Sequence, residues 1–312
     1  MSQQQQQVQP SIVADDEIDL RELFSVIWQG KWLIIAVTAV FAVAAVFYAL
    51  SLPNIYKSEA LLAPVTEDSG MKIPGQLGGL AALAGVNLGG GGGDKTSLAL
   101  EILKSREFIG RFIQQHDLFV PIMAAKGWNR GTNSLVIDND IYNSEKQQWV
   151  REVKAPFLPK PSLLETHEAF MKLLNVSQDK ETGMVKLSVE HLSPFIAKEW
   201  VTWLVQAINN EMRERELNEA QNSITYLTSQ LENTNVADIR TMLFSLIEEQ
   251  TKTVMLANVR AEYVLKTVDP AVAAEKKSKP ARALIVIIAT MLGGLLATFV
   301  LLLRHFSANR KS

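Results

Sequence analysis

Side chains suited to chemistry are thinly spread in this 312-residue chain. Its four histidines, His116, His167, His191 and His305, lack the i, i+4 or short-loop spacing that turns two imidazoles onto one ion, so no metal site is expected. Cysteine is absent, which removes disulfides, thiolate metal sites and thiol nucleophiles and leaves the redox compartment open. Glu248 with Glu249, and Glu214 with Glu216, fall on the polar faces of expected helices, where solvated charge rather than proton transfer is the expected role. No G-x-S-x-G elbow occurs. A five-glycine run ends in Gly93-Asp94-Lys95-Thr96, which invites comparison with a phosphate-binding loop. There, however, Asp94 replaces the required glycine and puts a carboxylate where phosphate charge would sit. Catalysis, cofactors and nucleotides are therefore not expected. Lys plus Arg number 31 against 33 Asp plus Glu, so no basic field exists to attract nucleic acid.

What the sequence does specify is anchoring. Residues 32–52, WLIIAVTAVFAVAAVFYALSL, carry no charge, and at about 1.5 Å per residue they can cross a bilayer core. Residues 283–303, ALIVIIATMLGGLLATFVLLL, form a second such run before Arg304. A cleaved signal peptide does not fit the first run, because a long acidic stretch with Asp15, Asp16, Glu17, Asp19 and Glu22 precedes it. Basic residues lie on both sides of each span, so charge does not orient the chain. In the second span Ala289, Gly293, Gly294 and Ala297 make a small-residue stripe that lets another helix approach closely.

Between the spans the pattern predicts an α+β domain with a long helical arm. The glutamine-rich residues 2–10 are expected to be disordered, and Asp19–Trp28 to form a short amphipathic helix on the membrane surface. Ile55–Val65 reads as a strand, Gln76–Lys95 as a mobile glycine-rich loop and Ser97–Gln115 as one amphipathic helix. Phe119–Glu165, rich in turn formers, is expected to be irregular, followed by a helix over Leu163–Leu174 and a strand over Met184–His191. Ser193-Pro194 starts a helix that runs to about Glu232, roughly 55 to 60 Å and longer than a domain of this size needs, so it must project. Its far half keeps only Leu217, Ala220, Ile224, Leu227 and Leu231, a narrow coiled-coil seam. After a break at Asn233–Asn235, with Asp238 loosely placed as a capping partner, a second helix bearing Ile239, Leu243, Leu246 and Ile247 returns to about Arg260. Tyr263–Val268 reads as a last strand, ended by Asp269-Pro270. Glu211, Arg213, Arg215, Glu219, Gln221 and Asn222 line the arm as glycan or neighbour contacts, or as plain solvated surface.

Asp19–Trp28 followed by Lys31-Trp32 and the first span, the stretches 256–260 (LANVR) and 263–271 (YVLKTVDPA), and Lys277-Ser278-Lys279-Pro280 before the second span are similar to segments of the Wzz-type chain-length determinants, or polysaccharide co-polymerases. Asn258, Arg260, Asp269, Pro270 and Pro280 are the positions that carry this resemblance, and Ala257 stands where relatives often have glycine. The resemblance implies an inner-membrane protein with tails 1–31 and 304–312 in the cytoplasm. It also implies a periplasmic mixed α/β base at 53–192, an arm at 193–262, and a return strand and basic linker at 263–282. Because the sequence stops at Ser312, it is expected to fall in the kinase-free class. Such proteins form ring-like homo-oligomers and set the modal length of a lipid-linked glycan, commonly lipopolysaccharide O-antigen, by acting with a membrane polymerase. An exopolysaccharide or enterobacterial-common-antigen co-polymerase is the alternative, and a membrane-tethered sensor a remote one.

Overall fold

The computed structural model describes residues 26–65 and 91–309. The glutamine-rich tail, most of the 19–28 segment and the glycine-rich stretch up to residue 90 lie outside the described residues. The chain divides into two contact units, one made by the described parts of Met1–Leu52 and Pro280–Ser312, the other by Pro53–Lys279. The elements in chain order are α1 (Lys31–Ser51), β1 (Tyr56–Pro64), α2 (Gly91–Lys104), α3 (Arg106–Gln115), α4 (Phe119–Met123), β2 (Ala125–Asn129), β3 (Ser134–Ile137), β4 (Tyr142–Asn143), β5 (Gln148–Trp149), α5 (Leu163–Leu173), β6 (Leu174–Gln178), β7 (Val185–His191), α6 (Pro194–Glu232), α7 (Ala237–Val259), β8 (Leu265–Asp269) and α8 (Arg282–Asn309).

Both α1 and α8 are long and apolar enough to cross a membrane, and they pack on each other. At one end Arg282 donates through Nε to the Ala49 carbonyl (2.9 Å) and through Nη2 to the Leu52 carbonyl (3.2 Å), satisfying acceptors that the end of α1 leaves open.

The second unit is built on an antiparallel sheet in the order β6-β7-β1-β8. Alternation decides its inner face: Ser58, Ala60 and Leu62 of β1, and Val185, Leu187, Val189 and His191 of β7, are buried. The first half of α6 packs on β1 and β7, with Trp200, Leu204 and Ile208 fully buried. Phe170 of α5 lies 5.6 Å from Trp200 and 5.8 Å from Phe112 of α3, which ties the helices into the same core. The two ends of this unit meet: the Ile55 amide donates to the Lys279 carbonyl (3.0 Å), the Ser278 amide to the Ile55 carbonyl (2.8 Å), and Lys279 pairs with Glu190 at 2.7 Å.

Several expectations are corrected. The predicted helix at 97–115 is two helices, because Ser105 takes an extended conformation and its Oγ accepts from the Phe108 amide to start α3. The last glycines of the run are helical from Gly91 rather than loop. The following turn is held by an ion pair of Lys95 with Glu216 (2.7 Å) and by burial of Thr96, Ala99 and Leu103. Residues 150–162 are irregular, as expected, whereas residues 119–149 are not. Their turn formers close two hairpins, β2-β3 and β4-β5, with Asn133 at φ 50° and Tyr142 edge-on to Trp149 at 5.0 Å. The arm's turn is capped by neither Asn235 nor Asp238: Val236 is the N-cap without a side-chain bond, and Arg240 instead donates to the carbonyls of Leu231 (3.0 Å) and Thr234 (3.1 Å). On α7, Leu243 is buried, while Ile239 and Leu246 stay exposed.

The return strand begins two residues later than the pattern predicts, at Leu265, because Tyr263 and Val264 have another partner. Asn209 of α6, 2% exposed, accepts at Oδ1 from the amides of Tyr263 (2.9 Å), Val264 (2.9 Å) and Leu265 (3.0 Å). Its Nδ2 donates to the carbonyls of Val205 (3.1 Å) and Leu265 (2.9 Å). At the other end of α6, the Ser193 amide donates to His191 Nδ1 (3.1 Å), and His191 Nε2 faces the Pro121 carbonyl at 3.3 Å. This pairing assigns the neutral tautomer protonated on Nε2.

Two stability measurements on the full chain in detergent follow. Asn209→Leu strips an acceptor from buried amides and is expected to lower chemical-denaturation stability by at least about 2 kcal/mol, against near-neutral change for exposed Asn222→Ala. Burial lowers the His191 pKa from 6.5 to about 4, so its neutral form contributes stability that is full above pH 6.5 and is lost as pH falls toward 4. Between pH 7 and pH 5 the loss is about 2 kcal/mol, and His191→Gln, which does not protonate, is expected to remove that part of the slope.

Candidate functional site

Small residues position the pair of apolar helices. Gly293 and Ala297 of α8 are buried, and Ala289 and Gly294 half-buried. A Cβ on Gly293 would stand 2.7 Å from that of Phe41, and one on Gly294 would stand 3.6 Å from Thr38 Oγ1. Gly30 lies beneath Leu301 in the same way. The stripe read from the sequence therefore faces the chain's own first span, and Gly293 sits where any side chain would push the helices apart.

Along the arm, Ala220 is buried and Leu217, Ile224, Leu227 and Leu231 are half-buried, on the side of α6 from which α7 folds back. Of the positions singled out by resemblance, Asn258 bonds within α7, to the Val254 carbonyl (2.9 Å). Arg260 is the residue that ends α7, Asp269 pairs with Leu61 in the sheet, and Pro280 lies in the other contact unit. Pro270 lines a cavity.

That cavity, about 460 Å³, lies at the foot of the arm between α6 and the returning chain. Ala60, Val205 and Ala271 give it an apolar wall, and Gln206, Asn210 and Arg213 a polar rim. A second groove of about 270 Å³ lies between α6 and α3 and shares Gln206 and Asn210 with the first. Here His116 stacks on Trp203 (4.1 Å between ring centres, 11° between planes), and Arg111 pairs with Glu211 at 2.8 Å. Burial holds the His116 pKa below its ordinary value, partly offset by the Glu199 carboxylate. Of the arm residues named as contact candidates, Glu211 and Arg213 line these grooves, whereas Arg215, Glu219, Gln221 and Asn222 are exposed helix surface. Sequence reasoning passed over Gln206 and Asn210, whose only signal was a polar pair four apart on a helix otherwise apolar on both flanks. Among the described residues, no three His, Asp or Glu side chains gather as a metal site.

Residues 16–116 match the family model for chain length determinant proteins, Wzz. Residues 221–306 match a model described as a G-rich domain on putative tyrosine kinase, GNVR. Among solved structures the chain is similar to a full-length bacterial polysaccharide co-polymerase, at 13% identity over 93% of this chain and 99% of that one, with a TM-score of 0.38. It is also similar to a fragment of WzzB, a polysaccharide co-polymerase from Salmonella Typhimurium, at 13% identity over 72% and 100%, with a TM-score of 0.31.

The helix pairing is testable because the chain has no native cysteine. Thr38→Cys with Gly294→Cys is expected to close a disulfide within one chain under mild oxidation. Gly294→Cys alone should give no dimer on a non-reducing gel, whereas a prominent dimer would place the stripe against a second copy.

Proposed function

We propose that this chain, whose residues 16–116 match the model for chain length determinant proteins, regulates, without making bonds itself, the modal length of a lipid-linked surface polysaccharide. Lipopolysaccharide O-antigen is the substrate we assign. In this reading α1 and α8 sit in the inner membrane, both tails are cytoplasmic, and Pro53–Lys279 stands in the periplasm as one protomer of a ring-like homo-oligomer beside the membrane polymerase. The observation that carries it is the double anchorage. An apolar helix precedes the α/β unit and another follows it, and the unit carries an arm whose first helix alone has 39 residues. Such a body is suited to standing next to a membrane enzyme and presenting a fixed surface to a growing chain. The small-residue contact between α1 and α8 supports it by making the anchor a rigid pair rather than two independent tethers.

The match at residues 221–306 favours a second reading, in which the glycan is an exopolysaccharide and the partner system includes a tyrosine kinase.

A deletion strain separates the two. Loss of the gene is expected to replace the modal cluster of lipopolysaccharide bands on a gel with a distribution that falls off steadily from short chains, and the plasmid-borne chain to restore the cluster. Unchanged lipopolysaccharide with altered exopolysaccharide size selects the second reading. If neither polymer changes, the regulatory function is wrong.

A further inference from the structure

The two grooves at the foot of the arm form one surface. Gln206 and Asn210 are four residues apart on α6, so their side chains stand about 5–6 Å apart on one face, and both line each of the two grooves. Arg213 and Glu214 continue the stripe, giving roughly 12 Å of polar ridge with a hollow on either side. The ridge is exposed, and what sets it apart from ordinary helix surface is the hollow on each side. Neither amide has a hydrogen-bond partner among the described residues, and Arg213 and Glu214 have no ion pair among them. Each amide offers two donors and an acceptor in one plane, which matches adjacent hydroxyls on a sugar ring. Charge narrows the ligand class: Arg111 and Arg213 face Glu211, Glu214 and Glu262, so the surface is close to neutral and offers a polyphosphate or nucleic acid nothing to neutralise. The first hollow is of a size usual for small-molecule clefts, about 300–1,000 Å³, and its apolar wall of Ala60, Val205 and Ala271 suits the C–H faces of a pyranose.

We propose that this double groove holds a short stretch of uncharged polysaccharide, with Gln206 and Asn210 bridging its hydroxyls and Arg213 and Glu214 flanking them. The proposal rests on the chain-length reading above and adds to it a contact site at the root of the arm, beside the Asn209 junction that fixes the arm's return. A glycan seated there bears on α6, on α3 and on the loop after α7 together.

The test uses the full chain in detergent or nanodiscs. Its probe is polysaccharide released from the producing strain's lipopolysaccharide by mild acid, with dextran as a control polymer. Wild-type protein is expected to retain the released polysaccharide saturably and dextran weakly. Gln206→Ala with Asn210→Ala, at exposed helix positions where alanine is well tolerated, should weaken retention by roughly tenfold, the loss of about two net hydrogen bonds. Gln206→Asn with Asn210→Gln keeps both amides and should retain most of the binding. Light scattering should give all three proteins the same assembly mass. The proposal is overturned if wild type does not retain the polysaccharide or if the alanine pair retains it equally. It is also overturned if binding is lost together with a change in assembly mass, which would make the ridge a contact between copies. Band patterns keep the two readings apart. A deletion that leaves every polymer unchanged sinks the chain-length function. If wild type restores the modal cluster while the alanine pair both restores it and binds normally, the groove alone is wrong.

Discussion

One buried amide governs the geometry of the unit built on the sheet. A helix of 39 residues can leave a small sheet at any point along its length, and nothing in the helix itself decides where the chain must come back. Asn209 decides it. By accepting three consecutive amides and returning a donor to the Leu265 carbonyl, it fixes the end of the excursion to a level of α6 at which Ile208 and Leu204 are still in the core. The amides of residues 263–265 approach a buried region where water does not solvate them, so the bonds to Asn209 are what make that path affordable. Beyond this level α6 leaves the sheet, and α7 packs along it, with α3 and α2 holding Glu211 and Glu216 through Arg111 and Lys95.

The anchor pair follows a different logic. Between lipid-facing helices the hydrophobic effect contributes little, and close contact of backbones takes over. Gly293 admits Phe41 and Gly30 admits Leu301, and Arg282 closes one end by binding carbonyls that α1 leaves unpaired. The buried Thr38 hydroxyl lacks a partner among the described residues, and it sits where the approach to Gly294 is close.

Periodicity made the large elements legible. The charge-free runs became α1 and α8, the serine-proline start became the first turn of α6 with Ser193 as its N-cap, and the alternation of Val185, Leu187 and Val189 became the inner face of β7. What stayed hidden depends on partners distant in sequence. Asn209 looks like an interruption in an apolar face, and its meaning comes from residues 54 to 56 positions away. The hairpins of residues 125–149 are short, with turn residues nearly as numerous as strand residues, so cross-strand aromatic contacts such as Tyr142 with Trp149, invisible to a window, decide them. Gln206 and Asn210 gain interest only when the helices and loops beside α6 are known. The glycine stripe was readable as a packing face, but its partner was not, because a small residue says how near a neighbour comes and not which neighbour it is.

The meeting of Ile55 with Lys279 has a consequence for mechanics. Leading and trailing segments of the sheet-bearing unit leave from adjacent points, bonded to one another, rather than from opposite poles. A pull or twist applied through either segment is therefore shared at once with the other and arrives at a single seam of the sheet, next to Glu190 on β7. Load is therefore taken up across a hydrogen-bonded bridge between the unit's own ends, and the strands between them are not drawn apart from opposite poles.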